Sequence, residues 1–455
     1  MDFLRRVQTL LQQEKAVSEW VVRRAVRDEV QLYLIKNDVE AIRRVTSEEV
    51  AVEVHNDHPE RGALEKAATG TLTRRGVASV RLMRGEQEDA ADPIRQAAFM
   101  ASLADNEVFH LPAAPVGGYP AVSVLDKNLA ANSAAVAEEM ASRLLAAVKD
   151  EAADGLSLSS AEFFLTKEDI EQANSAGASG AFAGTAIYVE MVLNVKGTGG
   201  AESERYVFLR RRRLADVDLA EWVHEEAARA RDSVRAGRPR TGTVDLVVER
   251  DRVGELFGPI LFHASGQAAY RKLARLAPGQ PLWPEEKGGL GAKTAGDPLS
   301  LVSDGLLAFG THTAPFDEQG LSAQRVPVVE NSVVKNLLCT KQYADYLGIP
   351  ATGGPANLVL SPGRTPAVEL LAAGEGRPVL RVVDFSAFDP DPITGDFVAE
   401  IRLGYEGARP VKGGAVRGNV FEALAGARLA SETGFYGHYA GPVAVRLSNL
   451  VVAGE

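Results

Sequence analysis

The sequence predicts an α+β protein, an N-terminal mixed α/β domain followed by a largely antiparallel β C-terminal domain. Three observations carry this. Apolar residues alternate with period two over several early segments, as half-buried strands require. Ala-, Glu- and Leu-rich stretches with helical spacing lie between and after them. Beyond residue 243 the texture changes to many short β-rich runs separated by Gly and Pro. With 455 residues, the chain exceeds the size at which one core stops growing, so two domains are expected, 1–238 and 239–455.

The elements follow in order. A short amphipathic helix carries Val7, Leu10 and Leu11. Alternation at Val30, Leu32 and Leu34, then at Val50, Val52 and Val54, marks two strands, and a third spans 70–82. Asp92-Pro93 is expected to open a helix with Ile94, Ala97, Ala98 and Ala101 on it, Asp92 capping the free amides and Pro93 fitting the first turn. A longer helix covers 126–150. Strands near 157–165 and 181–195 flank a turn at Asn174-Ser175-Ala176-Gly177. Residues 214–236 form another helix. The stretch 236–242, where Gly, Pro and charge cluster, is the domain boundary. Strands are then expected at 243–249, 325–329, 356–360, 378–383, 397–405 and 442–452, with helices near 266–276 and 338–347.

Charge narrows the function classes. Fifty Lys and Arg stand against 61 Asp and Glu, a net −11, which repels phosphates and anionic membrane surfaces, so neither nucleic acid nor membrane is an expected partner. The one basic run, Arg210 to Arg213, follows the strand-like Tyr206-Val207-Phe208-Leu209 and reads as a solvated strand end. A single cysteine, Cys339, excludes an intrachain disulfide and a thiolate zinc cluster. There is no signal-like N-terminus and no apolar run near the ~20 residues of a membrane span. A cytoplasmic location is expected.

Seven histidines are the first candidates for metal or acid–base chemistry. His55 and His58 lie in Val54-His55-Asn56-Asp57-His58-Pro59-Glu60, read as a polar turn where they could bind a cation or merely decorate a loop. His224-Glu225 begins like a zinc-protease helix, but position 228 is Ala228, so the second histidine of HExxH is missing. No GxSxG elbow, P-loop or dinucleotide fingerprint occurs in a usable context. The acidic turn Asp389-Pro390-Asp391-Pro392-Ile393-Thr394-Gly395-Asp396 has calcium-type oxygens, but its prolines favour a tight hairpin turn.

The most informative segment is 257–270, an apolar, strand-like run, Phe257-Gly258-Pro259-Ile260-Leu261-Phe262, that enters a small-residue helix through His263-Ala264-Ser265-Gly266-Gln267. This arrangement resembles the TldD/TldE (PmbA) family of metallopeptidase subunits, whose catalytic members carry HExxxH here. Three downstream stretches are similar to the family as well. Phe316-Asp317-Glu318-Gln319-Gly320 and Val326-Pro327-Val328-Val329-Glu330-Asn331 resemble its DEG turn and the strand ending in Glu-Asn-Gly, with Ser332 replacing the glycine. Leu347-Gly348 through Thr352-Gly353 follows. Thr394-Gly395-Asp396-Phe397, Pro410-Val411-Lys412-Gly413 and Gly418-Asn419 resemble its TGDF strand and PVKG-to-GN hairpin. The likeness is good from about Val244 onward.

In the family's catalytic members the two histidines and a distant C-terminal cysteine hold zinc while the glutamate activates its water. By the resemblance, Phe262 and Gln267 stand where those histidines belong, His263 where the glutamate belongs and Tyr436 at the cysteine's place. The implied role is a non-catalytic subunit: no catalytic residue, metal ligand or cofactor of its own, and pairing with a TldD-like zinc peptidase subunit, or with itself, around a chamber that admits unfolded or small peptides. Two alternatives stay open. A changed site around His263, His438 and Ser265 could do chemistry of its own, or a homodimer could bind peptide or ligand without a protease partner.

Overall fold

Amphipathic patterning decides the architecture, and the early strands prove far longer than their apolar alternation suggests. The computed structural model describes residues 3–59, 73–83, 90–152, 155–197, 200–284, 289–290, 295–372 and 377–454. Residues 70–72 of the expected third strand, and Glu60, lie outside them. In chain order the N-terminal region holds α1 (Phe3–Gln13), β1 (Glu19–Ile35), β2 (Asp38–Pro59), β3 (Thr73–Met83), α2 (Ala91–Ala101) and α3 (Lys127–Asp150). It continues with β4 (Leu156–Asn174), β5 (Ser179–Lys196), β6 (Glu202–Arg211) and α4 (Leu219–Arg235).

These six strands form one antiparallel sheet in the order β3-β2-β1-β4-β5-β6. Its two faces differ because side chains alternate. One face is apolar: Val30, Leu32 and Leu34 pack with Phe163, Leu165 and Val189 against Leu144 of α3 and Val223 of α4. Val22, Val50, Val52 and Val54 pack against Val7 of α1 and Ile94 of α2. Among the described residues no named helix packs on the other face, part of which, at Ala25, Ile170 and Phe182, is covered by Tyr119 and Phe316. Asp126 caps α3, accepting from the amides of Asn128 and Leu129, and Asp218 caps α4 through Glu221. The capping expected of Asp92 does not occur: α2 starts at Ala91 after Ala90, with no side-chain cap, and Asp92 lies in its first turn.

The C-terminal region opens with β7 (Gly242–Glu249), α5 (Asp251–Glu255), α6 (Gly258–His263), α7 (Gly266–Tyr270), β8 (Leu301–Asp304), β9 (Arg325–Glu330) and β10 (Val333–Val334). Next come α8 (Lys341–Leu347), β11 (Asn357–Leu360), α9 (Ala367–Leu370), β12 (Val379–Ala387), β13 (Asp396–Glu406), β14 (Arg409–Val411) and β15 (Ala415–Asn419). The chain ends with α10 (Val420–Ala425), β16 (Arg428–Leu429), β17 (Thr433–Phe435), β18 (Tyr439–Pro442) and β19 (Ala444–Ala453). One sheet runs β10-β9-β8-β11-β18-β17. A second runs β12-β7-β19-β15-β13-β14, and β12 also pairs with β13, closing five strands into a ring. Pairing is antiparallel except for β12–β7 and β11–β18. Leu246, Phe257, Ile260, Leu301, Val328, Ile401 and Phe421 share the core between the sheets.

Two expectations are corrected. The run 257–262, read as strand-like, is helical: Pro259 sits at the start of α6, and Pro259, Ile260 and His263 are buried on it. A short run that is apolar on all sides does not distinguish a strand from a buried helical turn. Only Arg210 of the arginine run is exposed; the rest is not a solvated strand end. Arg212 donates to the carbonyls of Gly310, Thr311 and Thr313, and Arg213 pairs with Asp216 while its guanidinium lies 4.5 Å from the Phe309 ring centre. These residues fasten the N-terminal sheet to the C-terminal region. Burial pushes the Arg212 pKa down, a cost its three carbonyl partners offset.

Candidate functional site

The segment that resembles the zinc motif is built from two short helices. Ser265 separates them: its hydroxyl accepts the Ala268 amide at 3.1 Å and caps α7. Gly266 donates its amide to Leu338 and sits so close to Cys339 that a β-carbon there would lie 2.3 Å from the sulfur. Cys339 is buried, and burial raises its thiol pKa to about 11, so it stays protonated.

His263 is fully buried. Its Nε2 is 3.0 Å from the Ile393 carbonyl and its Nδ1 accepts the Arg275 amide at 3.3 Å. That pair of partners selects the neutral tautomer with the proton on Nε2, and leaves neither nitrogen for a metal. Burial lowers its pKa, and the charge of Arg275 acts the same way. Phe421 packs on the ring, at 5.4 Å between centroids. Phe262 offers no donor atom, and Gln267 is exposed. Zinc does not fit this set: one imidazole already engaged, one phenyl ring, one neutral amide and no carboxylate to act as base.

At the other sequence-predicted position, Tyr436 stacks on Tyr439 at 6.1 Å and 11°. Its neighbour His438 lies 5.2 Å from His312, the rings nearly parallel at 22°. Although His438 reaches solvent, crowding by protein atoms desolvates its ring. That and the charges of His312 and Arg210 lower its pKa. His263 and His438 are not brought together: the first packs against Phe262 and Phe421, the second against His312, and Ser265 is occupied as a helix cap. Among the described residues, no three His, Cys, Asp or Glu side chains gather as a metal-holding group.

The remaining candidates have structural surroundings. His55 and His58 stand on strand β2 and not in a turn. His55 is fully buried, 2.9 Å from Glu53 and 3.6 Å from Glu19, beside the buried Arg75, which pairs with both Glu19 and Asp57. The polar spelling of this strand hid a buried ion network, in which charges are tolerated because each is paired. His224 makes an exposed 2.6 Å pair with Glu151. Asp391 closes the 389–396 turn by accepting the amides of Ile393 and Thr394 at 2.9 and 2.7 Å, so its carboxylate organises a hairpin between β12 and β13.

Sequence reasoning missed the open face of the N-terminal sheet. Tyr33, Phe164, Tyr188 and Phe208, one from each of β1, β4, β5 and β6, form a continuous row with ring centroids 5.9, 5.6 and 6.0 Å apart. The signal was present as Tyr206 and Phe208 at alternate positions, but only the strand register brings the four strands' aromatics side by side. A hollow of about 640 Å³ opens over the middle of this row, lined by Phe164 and Tyr188 together with Arg27, Glu29, Thr166 and Arg210 among others.

Residues 241–454 match the family described as PmbA/TldA metallopeptidase C-terminal domain. A metalloprotease of Methanothermobacter thermautotrophicus is 26% identical over 253 residues, which cover 50% of this chain and 49% of that protein. Metalloprotease PmbA of Escherichia coli O157:H7 is 26% identical over 149 residues, 32% of this chain and 31% of its own length. The match thus spans half or less of these two relatives. The crystal structure of TldE from Thermococcus kodakarensis superposes with a TM-score of 0.76 at 17% identity, covering 100% of this chain and 99% of that one. The fold is shared from end to end, and residues 241–454 belong to the PmbA/TldA metallopeptidase C-terminal domain family.

Proposed function

We propose that this protein is a non-catalytic subunit of a TldD/TldE-like zinc peptidase assembly, acting in the cytoplasm. It would pair with a zinc-bearing relative, shape the chamber between them and bind unfolded or small peptides for the partner to cleave. The observation that carries this reading is His263: both its ring nitrogens are bonded to backbone groups, and Phe262 and Gln267 fill the other motif positions. A zinc subunit needs open ligands and a carboxylate base, and neither is supplied by these positions. The division into units of 1–238 and 239–455 belongs to the same proposal. It is supported by the separation of the sheets, one using residues up to Arg211 and the others starting at Gly242.

The separation of His263 from His438 counts against a changed site of this chain's own. Co-expression with an HExxxH-bearing relative from the same genome, followed by affinity capture through a tag on this chain and size-exclusion chromatography, tests the pairing. A stable one-to-one complex is the expected result. Elution of the two chains as separate species would refute it.

A further inference from the structure

The open face of the N-terminal sheet carries side chains that a solvated face does not need. Aromatic rings expose large apolar area, and the exposed Tyr206 and Phe208, 41% and 45% accessible, extend the row of Tyr33, Phe164 and Tyr188. The acids around the hollow are engaged. Glu168 pairs with Arg27 at 2.6 Å, Glu29 accepts from Gln31 and Thr166, and Glu190 accepts from the hydroxyls of Tyr188 and Tyr206.

Arg210 differs. It is exposed, its guanidinium carbon lies 5.4 Å from the Tyr188 ring centre and 5.2 Å from that of Phe208, and among the described residues it meets no carboxylate within ion-pair distance. A guanidinium held over two rings keeps N–H groups free for a bidentate acceptor at low entropic cost. The hollow's volume of about 640 Å³ falls within the roughly 300–1,000 Å³ typical of ligand pockets.

We propose that this face binds a peptide carboxylate next to an apolar side chain: Phe164 and Tyr188, which line the hollow, take the side chain, and Arg210, held over Tyr188 and Phe208, takes the carboxylate. The carboxylate belongs to the peptide's C-terminus or to an acidic residue beside the apolar one. This deepens the proposed function by naming the ligand class, yet it does not require the zinc partner, since the face lies within one chain.

The test is isothermal titration calorimetry of the full chain with acetyl-Ala-Ala-Ala-Phe bearing a free C-terminal carboxylate, its C-terminal amide, and acetyl-Ala-Ala-Ala-Ala. A fourth peptide, acetyl-Ala-Glu-Phe-Ala amide, separates an acidic side chain from a chain end as the source. Removing the carboxylate or the phenyl group is expected to weaken binding about tenfold or more. Arg210→Ala and Tyr188→Ala should each do the same, with unchanged circular dichroism, while Arg210→Lys retains part of the affinity. Equal binding of acid and amide, no binding of any peptide, or indifference to Arg210→Ala would overturn the proposal. So would self-association that Arg210→Glu abolishes, because it would assign the face to a second copy. Pairing with a zinc subunit is measured separately, so its failure leaves these outcomes readable.

Discussion

The Nε of Arg212 donates to the Gly310 carbonyl at 2.9 Å, and the same guanidinium reaches the carbonyls of Thr311 and Thr313 at 2.9 and 3.2 Å. The residue directly after β6 thereby holds a loop of the C-terminal region. Arg212→Ala is expected to lower stability by about 2–3 kcal/mol, read from chemical unfolding. Arg212→Lys should recover only part, because an ammonium cannot present the planar fork that serves three carbonyls.

A second junction is ionic. Arg205 pairs with Glu226 of α4 and lies 3.7 Å from Asp384 of β12, with the Arg205 and Glu226 side chains 6% and 5% exposed. Removing one partner strands a buried charge, so Glu226→Ala should cost about 3–5 kcal/mol. The double change Arg205→Met with Glu226→Leu should cost less than Glu226→Ala alone, measured in the same unfolding assay.

The cluster of Glu19, His55 and Arg75 makes stability depend on pH in two windows. Burial alone would raise the Glu19 pKa, but the His55 ring 3.6 Å away and the charge of Arg75 reverse this and hold it at about 2. Its contribution is present above the unfolded carboxylate range and is lost as pH falls through about 2. Burial would lower the His55 pKa, but Glu19 and Glu53 outweigh it and raise it. That contribution is present below the ordinary imidazole pKa and is lost as pH rises past the elevated value. Glu19→Gln should flatten the acid limb and shrink the neutral one, followed by urea unfolding across pH.

Gly266 and Cys339 are in close contact, since a β-carbon on the former would meet the sulfur of the latter at 2.3 Å. Gly266→Ala should therefore cost about 1–3 kcal/mol by overpacking. Adding Cys339→Ala should restore most of that loss. In the native chain the buried thiol should react with iodoacetamide only after denaturation.

Much of this architecture is legible in the residues, and the exceptions have physical reasons. The helix 126–150 could be read because Asp126 caps it and apolar spacing persists along it. The hairpin of β1 and β2 could be read only in two segments that do not pair with each other, Val30 to Leu34 at the end of β1 and Val50 to Val54 in the second half of β2. Beyond them both strands continue through residues such as Arg27, Asp28 and Arg44, which face solvent and carry no apolar alternation. His55 was misplaced because a charged spelling looks like a turn unless its partners on β1 and β3 are known. In the candidate site, that positions 262 and 267 offer no histidine was visible in Phe262 and Gln267 themselves. What His263 does instead was not, because Ile393 and Arg275 come to it from 130 and 12 residues away.

The central claim is that this chain supplies no metal site and works through a zinc-bearing partner. Elemental analysis of the purified chain, alone and after co-expression with an HExxxH-bearing relative, tests it most directly, with peptidase activity assayed on both samples. The account expects a lone chain without stoichiometric zinc or activity, and a complex that holds one zinc per pair and cleaves peptides. Stoichiometric zinc in the lone chain, lost on His263→Ala or His438→Ala together with peptide cleavage, would contradict it.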